Sequence, residues 1–238
     1  MIRLPIPTAD LVGQDRWPLP PATVHYATRV HRLTSGDVVV VFDGQGREVD
    51  AALDSVDAQW HAVRRGDTRV GRIGAPVTLV WAMPKGARLD DVTRQVTELG
   101  VTRLLLLETA RGVVRLKGDR AEKRRTRLDR IAAEAARQCG RADVLSIAGP
   151  VTLDDALAAT ADGCRVVLHP EGGATLESAD LAAPVAVFVG PEGGFSPQEL
   201  ALADAAGAER FTLASPVLRT ETAAVVGCAL VLHHLGAL

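Results

Sequence analysis

From residue 75 onward, apolar runs of strand length alternate with helical patterns, and that alternation limits the folds open to the chain. VTLVWAMP (77–84) precedes LDDVTRQVTELG, in which Leu89, Val92, Val96 and Leu99 recur at helical spacing. Gly100 reads as the helix stop. VTRLLLLE (101–108) is the next strand, followed by a long helix running through Ile131, Ala135 and Arg137 to near Gly140. CRVVLH (164–169), VAVFVG (185–190) and RFTLA (210–214) read as three more buried strands. The pattern predicts an α/β fold with a parallel sheet covered by helices on both faces. In such sheets ligands bind beyond the carboxyl ends of the strands.

The first 70 or so residues read differently. VVVVFDGQGREVDAALDSV holds two strand-like runs around Asp43-Gly44, a hairpin signal because glycine tolerates positive φ. Gln59–Val63 reads as a further strand, and TVHYATRVHRL (23–33) as a short helix. Gly44 and Gly46 are no dinucleotide fingerprint, since a third glycine and a following helix are missing. The change of pattern sets a domain boundary, giving a β-rich domain over 1–72 and an α/β domain over 73–238.

The tetrapeptide Pro-Glu-Gly-Gly occurs twice, at 170–173 and 191–194, each time after a predicted strand. The residues on the C-terminal side of each copy tell the two apart. After the second, Ser196 can cap a helix, Pro197 suits its first position and Glu199 completes a capping box, with Gly207 as the stop. Glycines at 190, 193 and 194 let backbone amides approach a ligand. The first copy runs into ATLESAD, a weaker helix start, and reads as a binding loop or simply a turn. Further on, Arg219, Thr220, Glu221 and Thr222 stand between a short strand and an apolar C-terminal helix, either as a functional corner or as a capped helix with a surface ion pair.

The net charge of −2 hides an asymmetry. Residues 76–141 carry fifteen basic and eight acidic side chains, whereas 142–238 carry three and twelve. The excess peaks in RGVVRLKGDRAEKRRTRLDR (111–130), which reads either as a solvated helix face or as an electrostatic footprint for nucleic acid. Three separated cysteines and no C-x-x-C argue against a disulfide framework or zinc site and favour a reducing cytoplasm. The N-terminus lacks the apolar core of a signal peptide, and the apolar C-terminal stretch is too short to span a bilayer, so no membrane role is expected. The histidines show no ligand spacing, so no metal is expected. With eight aromatic side chains, extensive base stacking is not expected either.

GPEGGFSPQE, followed about twenty residues on by LASPVLRTETA, resembles the paired C-terminal motifs of the small-subunit ribosomal RNA uridine-N3 methyltransferase family, within the SPOUT superfamily. PKGARLDDVTRQVTELGV, ETARGVV and EAARQCGR extend the resemblance upstream, and it covers nearly the whole chain. Gln95, Gly112, Leu128, Leu145 and Ala214 depart from the residues usual at those positions. The resemblance implies a C-terminal SPOUT α/β trefoil-knot domain behind a small N-terminal PUA-like β-barrel. It implies S-adenosylmethionine as cofactor, bent among three loops that carry Leu168, His169, Pro170 and Glu171; Gly190, Pro191, Glu192, Gly193 and Gly194; and Leu213, Ala214, Ser215, Val217, Leu218 and Thr220.

The implied reaction is methyl transfer to uracil N3 of 16S ribosomal RNA, free or in the small subunit, by a cytoplasmic homodimer. Arg219 is expected to stabilise charge developing on the uracil oxygens. Glu221 either orients Arg219 or accepts the N3 proton. Arg111, Gln138 and Arg141 are expected near the bound nucleotide, with Lys117, Lys123, Arg124, Arg125 and Arg127 on the RNA backbone.

Overall fold

The computed structural model describes residues 1–7, 9–84, 88–114, 118–171, 173–213 and 216–238. The chain forms two compact units, Met1–Ile73 with Ala133–Val144, and Gly74–Ala132 with Leu145–Leu238.

The first unit is built on β1 (Arg3–Pro5), β2 (Arg16–Pro18), α1 (Pro21–His25), β3 (Val38–Phe42), β4 (Arg47–Val56), β5 (Gln59–Arg64) and β6 (Arg69–Val70). The strands order as β1-β3-β4-β5-β2, with β6 against β4. The Asp43-Gly44 turn joins β3 to β4 as the sequence predicts. Its carboxylate accepts from the Gln45 and Arg47 amides at 2.7 and 3.0 Å, and Gly44 and Gly46 take φ of +77° and +106°. Strand alternation sends Val39, Val41, Val49, Ala51 and Leu53 into one core. Leu4 of β1 and Trp17 of β2 join that core, so both edge strands contribute to it. The helix expected over 23–33 is α1 followed by a wider turn, Tyr26–Val30, closed by His31 N–H to the Tyr26 carbonyl at 3.1 Å.

Residues 133–144 return to this unit through backbone bonds. Ala142 N–H donates to Arg72 O at 2.7 Å, Gly46 N–H to Ala142 O at 3.1 Å, and Val144 N–H to Gly44 O at 3.0 Å. A return of this kind is non-local, and no pattern near residue 72 signals it.

The second unit contains β7 (Ala75–Ala82), α2 (Arg88–Leu99), β8 (Val101–Leu107), α3 (Asp119–Cys139), β9 (Ser146–Val151), α4 (Leu153–Ala158), β10 (Cys164–Leu168), β11 (Ala174–Thr175), β12 (Val185–Val189), α5 (Pro197–Ala205), β13 (Glu209–Thr212) and α6 (Thr220–His234). From Ala133 on, α3 belongs to the first unit. Every strand pair is parallel, in the order β11-β13-β10-β12-β7-β8-β9.

One face of this sheet, with Val80, Leu105, Val167 and Phe188, packs on Leu153, Leu157 and Ala203 of α4 and α5. The other faces α6, where Gly227 permits close approach: a Cβ there would lie 2.5 Å from Leu168 Cδ1. The strands are therefore apolar on both faces, which is why they read as continuous apolar runs. Gly100 and Gly140, at φ of +110° and +83°, end α2 and α3 where the sequence places the stops. The short elements β9, α4 and β11 were not anticipated. Helix α4 carries a local signal, its Thr152 cap accepting from Asp155 N–H at 3.2 Å.

Candidate functional site

Strands β13, β10 and β12 lie side by side and end at the same edge of the sheet. The segments leaving them enclose a cleft of about 450 Å³. Its walls include Leu168 at the end of β10, with His169 and Pro170 after it; Gly190, Pro191, Glu192 and Gly194 after β12; and Leu213, Val217, Leu218 and Arg219 before α6, with Thr220 opening that helix. All of these were expected from the sequence. Glu171 and Gly193 belong to the same loops but do not line the cleft. Ala214 and Ser215 lie outside the described residues.

The loop after β12 is anchored at both ends. Thr220 Oγ1 donates to the Gly190 carbonyl at 2.8 Å and accepts from the Trp81 indole N–H at 2.8 Å. Thr220 is thus a buried strut as well as a wall residue. A Cβ at Gly190 would stand 3.2–3.3 Å from the Phe195 ring, so the backbone lies directly on that ring. Gly194 N–H closes a turn on Pro191 O at 2.8 Å, with Gly194 at φ +68°. The predicted capping box is complete: Ser196 Oγ accepts from Glu199 N–H at 3.2 Å, and the Glu199 carboxylate accepts from Ser196 N–H at 2.7 Å. In the neighbouring loop His169 Nδ1 accepts from Glu171 N–H at 3.1 Å, which places the neutral ring's proton on Nε2.

The charges are arranged differently from the expectation. Glu221 pairs with Arg88 at 3.3 Å, and Arg88 also lies 4.0 Å from Glu192. Among the described residues Arg219 makes no side-chain hydrogen bond or ion pair, and it is exposed at the cleft wall. Glu221 therefore does not orient Arg219. Arg219 is the N-cap of α6 and Glu221 stands two residues on, a spacing at which side chains do not face each other on a helix. Glu221 is also absent from the cleft wall, whereas Arg88 lines it. Arg88 was missed by sequence reasoning, though a weak signal existed: residues 142–238 hold twelve acids against three bases, so most of their acids can find cationic partners only elsewhere in the chain. Val189, Phe195, Thr212 and Ala223 complete the wall and were also missed.

The basic candidates divide into groups. Lys123 and Arg125 are exposed on α3 and make no ion pair among the described residues. Arg127 is held by Asp90 at 2.5 Å, with Arg124 3.8 Å from the same carboxylate. Arg111 is turned onto the backbone of the loop after β12, donating to Gly193 O at 2.8 Å and Phe195 O at 3.3 Å. In the first unit Gln138 is exposed, but Arg141 is 2% exposed and bonded twice to Asp143, at 2.9 and 2.6 Å. Burial and that bidentate pair make Arg141 structural and correct its assignment to RNA. Lys117 lies outside the described residues. Of the departures noted, Leu128 and Leu145 are buried core and Gln95 is exposed. At Gly112 a Cβ would meet Thr109 Oγ1 at 2.8 Å.

An RNA methyltransferase domain model matches residues 73–232, and an RNA methyltransferase PUA domain model matches 19–58. The Mycobacterium tuberculosis protein named ribosomal RNA small subunit methyltransferase E is 35% identical over 213 residues, covering 84% of this chain and 80% of that one. The chain belongs to the ribosomal RNA small subunit methyltransferase E family. The family member from Synechocystis is 32% identical and covers 87% of this chain and 70% of its own length. Two solved structures with bound S-adenosylmethionine share the architecture. A methyltransferase of Legionella pneumophila gives a TM-score of 0.86 at 28% identity, covering 98% of this chain and 97% of that one. The family member from Neisseria gonorrhoeae gives 0.84 at 26% identity, with the same coverages. The second unit is thus a SPOUT-like α/β methyltransferase domain and the first a PUA-like domain, as the family requires.

Proposed function

We propose that this protein methylates uracil N3 in 16S ribosomal RNA, using S-adenosylmethionine bound in the strand-end cleft. The observation that carries the reading is the convergence of three loops after β10, β12 and β13 on one cleft, beside an arginine unpaired among the described residues, in a chain of this family. The cleft suits the cofactor. Its size falls within the range of small-molecule sites, and Leu168, Val189, Leu213, Val217 and Leu218 give it apolar walls broken by backbone polar groups. Bound there, the cofactor supplies an electrophilic methyl group on a sulfonium sulfur.

The chain's own residues meet the remaining demands. Uracil must give up its N3 proton to solvent before the cleft closes over it and that nitrogen can attack, and the negative charge then spreads onto the ring oxygens. Arg219, with no competing partner among the described residues, stabilises that charge. Arg88 adds a second cation to the wall, and Glu221 acts through Arg88 by fixing its guanidinium. Apolar walls exclude water and strengthen both interactions. Lys123 and Arg125 attract the RNA backbone without reading sequence. The reading also includes a homodimer working in the cytoplasm, no metal requirement, and a C-terminal segment threaded as a trefoil knot.

The test is methylation of small ribosomal subunits that lack the modification, followed by nucleoside mass spectrometry. N3-methyluridine is the expected product. Methyl on a ribose hydroxyl or on guanine would overturn the acceptor. Cofactor binding without transfer would make the protein a non-catalytic RNA-binding factor.

A further inference from the structure

Arg111 and Glu199 do not line the cleft, yet both are bonded across the gap between the loop after β12 and the segment leaving β8. We propose that they are positioning residues, forming a clasp that holds the Gly193–Phe195 stretch, whose Gly194 and Phe195 line the cleft, in its ligand-binding shape. The proposal rests on the reading of the cleft as the cofactor site.

The clasp has two halves. Arg111 Nη1 donates to Gly193 O at 2.8 Å and to Phe195 O at 3.3 Å. Its stem runs along the same backbone: a Cβ on Gly193 would stand 3.5 Å from Arg111 Cβ and 3.6 Å from Cδ. In the other half a capping box is extended. One Glu199 oxygen accepts from Ser196 N–H at 2.7 Å, as in any such cap. The second accepts from Ala110 N–H at 2.8 Å, 89 residues away in sequence. Ala110 and Arg111 are adjacent, so a single dipeptide grips both sides of Phe195. A cap needs only the first carboxylate bond; the second serves the loop.

The loop needs such restraint. Gly190, Gly193 and Gly194 give it more unfolded freedom than side-chain-bearing residues would. Its own backbone supplies the Gly194-to-Pro191 turn, and Thr220 holds Gly190. The carbonyls of Gly193 and Phe195 are fixed by Arg111. One guanidinium nitrogen, Nη1, spans both acceptors with its two N–H groups.

Arg111→Ala, Glu199→Gln and the double variant decide the matter by two readouts. Amide hydrogen exchange of the protein without ligand should speed up on the order of tenfold at 193–195 and stay unchanged in the β7 and β8 core. Calorimetry with S-adenosylhomocysteine should give roughly three- to tenfold weaker binding, and the double variant should be no worse than the weaker single, as expected of residues acting as a unit. Replacing the exposed Asp162 with Ala should move neither readout. Unchanged exchange at 193–195 overturns the clasp. So does an Arg111→Ala variant whose only change is a shallower salt dependence of RNA binding, since that marks a phosphate contact. Failure of the wild-type protein to bind S-adenosylhomocysteine would reject the reading of the cleft instead, and the exchange experiment would still judge the clasp.

Discussion

Trp81 donates its indole N–H to the hydroxyl of Thr220 at 2.8 Å, in a buried contact that ties the first turn of α6 to the sheet. The same hydroxyl donates to the Gly190 carbonyl, so one side chain serves a strand, a loop and a helix start. Thr220→Val keeps the shape but strands the Trp81 N–H and the Gly190 carbonyl. It should cost about 1–3 kcal/mol in urea unfolding, while Thr220→Ser stays close to wild type. Equal stability of the valine variant would remove Thr220 from this role.

Arg219 should act on chemistry more than on folding. Arg219→Ala is expected to slow single-turnover methylation at least tenfold, about 1.4 kcal/mol, with the unfolding midpoint unchanged. A smaller loss would show that its charge is not used in the transition state.

Arg88 and Glu221 should behave as one unit. Arg88→Ala and Glu221→Gln are each expected to lower kcat, and the double variant should fall no further than the worse single. Additive losses would mean that Glu221 acts independently of Arg88.

The basic residues should separate by assay. Replacing Lys123 and Arg125 with Ala should weaken RNA binding and flatten its salt dependence without loss of stability. Arg141→Ala should do the reverse, costing about 3 kcal/mol because Asp143 loses its bidentate partner in a buried setting. A destabilised Lys123/Arg125 variant, or a stable Arg141→Ala protein with a flattened salt dependence, would exchange their roles.

Burial pushes the Cys228 thiol up to about 12. In the unfolded chain a thiol ionises near 8.5, so the unfolded state sheds this proton first as pH rises. Stability from Cys228 is therefore intact below about pH 8.5 and is lost progressively toward pH 12. The urea midpoint of wild type should fall faster than that of Cys228→Ala between pH 8 and 11, and parallel curves would contradict the burial effect.

Local chemistry was legible in the sequence and long-range pairing was not. The Asp43 turn, the stops at Gly100 and Gly140 and the Ser196–Glu199 box all depend on residues a few positions apart, and all stand where the sequence puts them. The strand-end location of the cleft was legible because parallel strands deliver their loops to one edge, while its wall residues were named only through the family resemblance. Arg88 and Arg111 show the limit. Each is a basic residue whose partner is set by tertiary structure, so sequence could assign its charge but not its use. Arg88 meets an acid 133 residues away, and Arg111 reaches a carbonyl 82 residues away.

The Trp81–Thr220 contact joins residues 139 positions apart. All seven strands of the second sheet are complete by Thr212, yet the cleft still lacks Val217, Leu218, Arg219, Thr220 and Ala223. During synthesis a nascent chain that has emerged only to that point possesses the whole sheet and none of the site's final wall. Closing so long a loop carries an entropic cost that only the docking of α6 recovers. Competence is therefore acquired only once the segment through α6 has been made and has docked against the sheet.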